Sequence, residues 1–305
     1  MANSNSISTS YGRASRGDRM FDIFNYILMS IILIATIYPF LNVLAISLNN
    51  SADTVRGGIT IFPREFTLEN YATIFQRQDL TTAFKISVLR TVLGTIIGLI
   101  ACSLLAYTLS RRDFQGRRVI SFILVLTLYI SGGLIPVFLL YRDLGFINSF
   151  WVYVLPGMVN AFYVFVIRSF MDNLPYELQE SAKMDGANDI KIFWSIILPL
   201  CKPVLATIAL FIAVGQWNSW FDTYIYNGSA EHLTTLQYEL TKILQSTQTG
   251  SSAAYGNNIA EKQQSVSPDS IKMAITIVTI VPILLVYPFL QRYFVKGLTL
   301  GAVKS

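Results

Sequence analysis

Six stretches of this chain contain no charged residue, at 23–52, 91–110, 119–141, 144–167, 203–221 and 273–291. A helix needs roughly 18 to 20 apolar residues to cross about 30 Å of hydrocarbon, and each stretch reaches that length. Barrel strands need only about 10 alternating residues, so the lengths select helices. One such stretch alone could be a buried or re-entrant helix; six together leave little room for a soluble domain. Hydrophobic residues make up 53% of the chain and charged ones 13%, too little polar surface for a water-soluble fold. The expectation is an all-α, polytopic membrane protein built as a six-helix bundle.

An even number of crossings puts both termini on one side, and lysine and arginine say which. Arg13, Arg16, Arg19, the run Arg111, Arg112, Arg117 and Arg118, then Arg168, Lys183, Lys191, Lys202, Arg292, Lys296 and Lys304 give 14 basic residues on one side. The other side has eight, from Arg56 to Lys272, with Arg90 set apart inside the second helix. By the positive-inside rule both termini and the loop 172–199 are cytoplasmic, and the long loop 222–270 is outside. The chain then divides into a disordered cytoplasmic tail at 1–20, a six-helix transmembrane domain at 21–293 and a cytoplasmic tail at 294–305. The first apolar stretch follows 20 polar residues and lacks a small-x-small site, so it is read as a retained helix. The net charge of +5 is a topology signal, and no concentrated basic groove supports nucleic-acid binding.

Catalytic chemistry is hard to place. His232 is the one histidine, which removes histidine triads and multi-histidine metal sites. No glycine-rich loop ends in Lys-Ser/Thr, so the chain does not hydrolyse ATP itself. No carboxylate lies within the six stretches, which argues against a proton-coupled carrier and puts the energy source on another subunit. Cys102 and Cys201 are read as small apolar fillers.

What the membrane segments offer is uncharged polarity beside aromatic rings. The fifth helix ends in Gln216, Trp217, Asn218 and Ser219, whose spacing gives neighbouring polar and aromatic tracks. Amides and ring faces suit a sugar, and Tyr129, Asn160 and Tyr163 join them as pathway candidates. Trp220 and Phe221 also fit an interfacial belt. Gly132, Gly133 and Pro136 mark a hinge in the third helix, and Pro39 a kink or end in the first. Outside, Thr67 is expected to cap a short helix, with Asn70 at the capping-box position. Arg90 is read first as paired with Asp79 or exposed at the membrane edge, and second as a partner for a uronate carboxylate.

The segment 172–199 carries a register that insertion alone does not demand: Glu180, Ser181, Ala182, three residues, Gly186, nine residues, then Ile196, Leu198 and Pro199. Leu174, Leu178, Ser181, Ala182 and Asp185 recur at helical spacing, and Gly186 supplies a bend before a second short helix. This pattern resembles the EAA loop of permease subunits in binding-protein-dependent ABC importers, with Ser181 in place of the first alanine. YPFLN at 38–42, SGGLIPVFLLYRDLG at 131–145, QWNSWFD at 216–222 and the final nineteen residues are similar to the carbohydrate-uptake branch. That branch includes the second permease of the maltose system and permeases paired with LplB-type subunits in oligosaccharide importers.

The resemblance implies a heterodimer with a second homologous permease in the bacterial inner membrane and two ATPase subunits that bind ATP and Mg. It also implies an extracytoplasmic solute-binding protein and an oligosaccharide substrate. This chain would bind no cofactor and no metal. Glu180, Ser181, Ala182, Asp185, Gly186, Leu198 and Pro199 would couple to the ATPase. Pectin- or alginate-derived fragments are favoured over a simple monosaccharide. The alternatives are a secondary carrier and an ABC permease for a non-carbohydrate solute.

Overall fold

A computed structural model describes residues 16–248 and 267–302; residues 1–15 of the expected disordered tail at 1–20, the centre of the long loop at 249–266 and residues 303–305 lie outside the described residues, and residues 16–20 of that tail are helical instead, as the first turn of a helix. The fold is helical throughout this range, with one isolated bridge between Asn49 and Phe66.

Helix α1 (Arg16–Ser47) runs through Pro39 without ending. The expected end gives way because a proline costs about 3 kcal/mol, whereas freeing backbone groups in hydrocarbon costs several kcal/mol each. A cap over the end of α1 follows, with α2 (Ser51–Thr54) and α3 (Glu69–Gln76). Its centre is Asn70, which is 1% exposed. The Asn70 amide donates to the carbonyls of Ser47 and Asn49 at 2.9 Å each and accepts from Ser51 Oγ at 2.9 Å. It therefore ties α3 back to the end of α1 instead of completing a capping box. Thr67 does accept from the Glu69 N–H at 3.1 Å, although the N-cap residue is Leu68.

Helix α4 (Gln78–Ser110) is the central element, packed against α7 (Ala161–Asp172) and α11 (Lys202–Asn218). Its buried face runs Ala83, Ser87, Arg90, Gly94, Gly98, Cys102 and Ala106, mostly small residues three or four apart. A Cβ on Gly98 would touch Ile212 and the Met158 carbonyl at 3.5 Å, and one on Gly94 would meet Gln216 at 2.8 Å.

The third and fourth apolar stretches are broken. Helices α5 (Arg117–Tyr129) and α6 (Leu134–Asp143) meet at 119°, and Gly133 between them holds φ at +81°. Pro136 sits in the first turn of α6, where its missing N–H costs little. The expected helix at 150–170 is instead a 3-10 turn (Phe150–Tyr153), irregular backbone and then α7. Pro156 and Gly157 lie in the irregular part. Asn160 starts α7 by accepting from the N–H groups of Phe162 and Tyr163 at 3.0 and 3.3 Å.

Helix α8 (Glu177–Met184) and α9 (Asp189–Ile192) follow, and α9 continues through a π turn (Phe193–Ile197) into α10 (Leu198–Leu200). The π turn directly precedes Pro199, which has no N–H for the preceding turn and crowds its carbonyl. At Cys201 the chain turns 84° into α11, which opens with Pro203 in its first turn. Then come α12 (Phe221–Tyr226), a 3-10 turn (Glu231–Leu233), α13 (Leu236–Gln248) and α14 (Pro268–Ala302). Among the described residues three continuous helices, within α1, α4 and α14, are long and apolar enough to cross a membrane, and the number is five if each of the two bent pairs is one span.

One prediction concerns the cap over α1. Asn70→Leu strands two buried carbonyls and should cost about 1–3 kcal/mol. Amide exchange at 47–51 should quicken while that of α7 and α11 stays slow.

Candidate functional site

Two buried arginines, Arg90 within α4 and Arg111 capping its end, organise what the bundle presents at either end. Near one end, Arg90 is 2% exposed. Its Nε and Nη2 donate to Gln216 Oε1 at 3.1 and 3.0 Å, and its Nη1 donates to the Ser219 carbonyl at 3.2 Å and to Asp222 Oδ1 at 3.1 Å. Its Nη2 also donates to Asp222 Oδ2. Those five bonds account for all five N–H groups of a guanidinium, and the Tyr153 ring lies 4.4 Å below its carbon. Neither reading of Arg90 from the sequence holds: Asp79 pairs with Arg77, and no N–H remains for a uronate. The arginine is instead a staple joining α4 to the end of α11 and the start of α12.

This staple redefines the pathway candidates. Gln216 spends its oxygen on Arg90 and its amide nitrogen on the Tyr153 carbonyl at 3.1 Å. Trp217 is buried, donating from Nε1 to the Thr279 carbonyl at 2.9 Å, with the Phe84 ring edge-on at 6.1 Å. Ser219 contributes its backbone carbonyl to the staple. Asn160 is a helix cap, and Tyr163 stacks on Phe211 at 6.4 Å. Asn218 and Tyr129 are exposed. The structure gathers Gln216, Ser219 and Asp222 into one cluster; Tyr129 and Asn160 lie on other elements.

At the other end of α4, Arg111 is 5% exposed and holds the motif loop. Its Nε and Nη2 grip Asp113 at 3.1 and 2.8 Å, and its Nη1 donates to Gln179 Oε1 of α8 at 3.0 Å. The same nitrogen lies 3.2 Å from Asp189 at the start of α9. Two hydrogen bonds from Arg111 hold the Asp113 carboxyl down at about 2. A lowered value means that this pairing is complete above the usual carboxylate range and is lost only as pH falls through about 2. Neighbouring arginines join in: Arg112 lies 4.9 Å over the Tyr176 ring, and Arg117 is 3.7 Å from Asp172. The basic run looked like an orientation signal alone, and its pairing with residues 172–189 had no local signature.

The loop itself is a helix, a turn and a helix. Gly186 has φ +78°, which a side chain disfavours by about 1–2 kcal/mol. With it, the Gly186 N–H reaches the Lys183 carbonyl at 3.0 Å and the Ala187 N–H reaches the Ala182 carbonyl at 2.9 Å. These are the paired bonds of a Schellman termination. Ala182 is buried in the core formed with Ile192, Phe193, Ile197 and Cys201, and Leu198 packs on it. Glu180, Ser181, Asp185 and Pro199 are exposed, as are the apolar Met184 and Ile190. The alanine thus seats the loop on the bundle, while its exposed residues face away from it. Among the described residues no histidine, cysteine and carboxylate cluster could hold a metal.

The Arg90 staple can be tested by stability. Asp222→Ala leaves a buried guanidinium unpaired and should cost about 3–5 kcal/mol, with Asp222→Asn milder because it still accepts a hydrogen bond. Gly94→Ala should cost about 1–3 kcal/mol by displacing Gln216. Thermal unfolding in detergent ranks the three.

Known proteins with the same architecture give this geometry a context. The family described as binding-protein-dependent transport system inner membrane component matches residues 6–300. The polygalacturonan/rhamnogalacturonan transport system permease protein YtcP of Bacillus subtilis (strain 168) is 38% identical over 289 residues, covering 94% of this chain and 99% of its own length. Protein LplC of the same organism is 37% identical over 293 residues, covering 95% and 97%. A chain in the crystal structure of a bacterial ABC transporter involved in the import of the acidic polysaccharide alginate superposes with a TM-score of 0.83. It is 30% identical, with 92% of this chain and 99% of that one covered. The signature spans nearly the whole sequence, and this chain belongs to the family of binding-protein-dependent transport system inner membrane components, the permease subunits of ABC importers.

Proposed function

We propose that this chain is one of two permease subunits that form the pathway of an ATP-driven oligosaccharide importer. Residues 172–199 are its cytoplasmic coupling loop. The observation that carries the reading is the loop itself: a Schellman-terminated helix seated by Ala182 and Arg111, with Glu180, Met184 and Ile190 left exposed. An exposed apolar pair beside a carboxylate, on a loop rigidly held from behind, fits a groove in a partner ATPase. Glu180 offers charge to a basic residue there. ATP and Mg belong to the two ATPase subunits, and as a permease subunit this chain hydrolyses nothing. A second homologous permease and an extracytoplasmic binding protein complete the assembly.

Six crossings of the inner membrane, with both termini cytoplasmic, fit the contacts at each end. Asn148 bonds Tyr226 and Tyr153 lies under Arg90 at one end, while Arg117 pairs with Asp172 at the other. The segments 117–143 and 150–172 therefore each run from one end toward the other, as broken crossings beside α1, α4, α11 and α14. The tails at 1–20 and 294–305 flank this domain at 21–293, which includes the outer loop 222–270. The interruption at Gly132, Gly133 and Pro136 is the proposed hinge, since irregular backbone at membrane depth belongs beside protein or water and not lipid.

The substrate class rests on the relatives, whose names specify polygalacturonan/rhamnogalacturonan transport and import of the acidic polysaccharide alginate. Uronate-containing fragments are therefore the favoured cargo. Asn218, Tyr129, Asn160 and Tyr163 are proposed to line the pathway with Gln216, Trp217 and Ser219 supporting it from the bundle. Any recognition of negative charge must fall to groups other than Arg90.

Two expected outcomes follow. In reconstituted complex, Glu180→Lys and Gly186→Val should each lower substrate-stimulated ATP hydrolysis at least tenfold while the chain still inserts; wild-type transport by either would remove that residue from the coupling role. A panel of saccharides, each loaded on the binding protein, should stimulate hydrolysis with uronic oligosaccharides above monosaccharides. Stimulation confined to amino acids, peptides or metals would overturn the carbohydrate assignment.

A further inference from the structure

We propose that Arg111 is a positioning residue of the transport cycle, the link through which movement of the coupling loop is handed to α4 and so to the outer staple. The proposal rests on the importer reading above and adds a mechanical path to it. The geometry is specific to this one side chain. Arg111 follows the last residue of α4 and is buried, yet its Nη1 serves both arms of the loop, Gln179 on α8 and Asp189 on α9. Asp113 fixes the opposite edge of the guanidinium through two bonds, so the fork cannot swivel independently of the end of α4. Lys183 reinforces the same group, 3.6 Å from Asp113 and 3.8 Å from Asp189. A push on α8 or α9 therefore meets the end of α4 at Nη1, on a guanidinium whose other edge is locked by the bidentate Asp113 pair, and such a charged contact resists lateral slip better than apolar packing.

What α4 carries away from that contact is set by helix geometry. Arg111 and Arg90 are 21 residues apart in sequence, about 31 Å at 1.5 Å per residue, close to the hydrocarbon thickness of a bilayer. Between them the helix is unbroken and free of proline. At its far end Arg90 holds α11 and α12 through Gln216, Ser219 and Asp222. The second contact of the loop with the outer end runs through α10 and the 84° corner at Cys201, an articulated route. The straight route is α4.

The test uses the full complex with its ATPases, partner permease and binding protein. Asn218, exposed beside the staple, is changed to cysteine in a background lacking Cys102 and Cys201, and its labelling rate is measured with and without ATP plus vanadate. With Arg111 present, trapping should change the rate at least fivefold. Arg111→Gln should reduce that change to less than twofold and bring the ratio of stimulated to unstimulated ATP hydrolysis close to one, with the ATPases still co-purifying. Arg111→Lys, which keeps the charge and loses the fork, should fall between. A merely structural arginine would lower yield or thermal stability and leave both ratios intact, and that result overturns the proposal. If Arg111→Gln fails to assemble, Gln179→Leu decides: retained ratios refute the link and lost ratios support it. Failure of the parent complex to bind ATPases would instead sink the importer reading.

Discussion

A guanidinium buried in a membrane bundle is tolerable only if its charge and its donors are met, and this chain meets that demand twice, once within α4 and once at the residue that caps it. Removing either set of partners would leave an uncompensated ion in a low-dielectric interior, a cost of several kcal/mol. The consequence reaches well beyond the two residues. Gln216 must pass close to α4, so position 94 must be glycine-sized. Asp222 must turn back over the end of α11, so the helix stops at Asn218 and restarts at Phe221. Gln179 and Asp189 must come within reach of one nitrogen, so α8 and α9 must close on each other, which the left-handed glycine at 186 allows.

The motif loop gains its character from this arrangement. Its register serves two surfaces at once. Ala182 and Leu198 face the bundle core and the Schellman bonds fix the turn, whereas Glu180, Met184 and Ile190 project outward. A small residue is needed at 182 because it packs among Ile192, Phe193 and Ile197 in the chain's own interior. Ser181 in place of alanine is harmless for the same reason, being on the exposed side, where its hydroxyl can also reach the Leu178 carbonyl at 3.3 Å.

Much of this was legible from the sequence where the determining forces are local. Apolar length announced α1, α4 and α14, and the register around Gly186 announced a helix, a turn and a helix. What escaped was pairing between segments distant in sequence. Arg90 and Asp222 are 132 residues apart and Arg111 and Gln179 are 68 apart, so nothing near either arginine names its partner. Gln216 and Trp217 read as free polar and aromatic surface because hydropathy cannot tell a side chain facing a cavity from one spent on a neighbour. The fourth apolar stretch read as one helix, since uncharged length records burial in lipid or protein but not backbone regularity. Pro156 and Gly157 were its only local warning.

The interval between the two arginines also has a phase. At 100° per residue, one residue added to or removed from α4 between them would rotate one end by a little over a quarter of a turn against the other and shift it by about 1.5 Å. Both partner sets could not then be satisfied together. Substitutions within the interval have latitude wherever the side chain points outward, as at Ile96 and Ile100. Changes of length have none. The helix works as a ruler whose two end marks are charges, and its calibration is the number of residues between them.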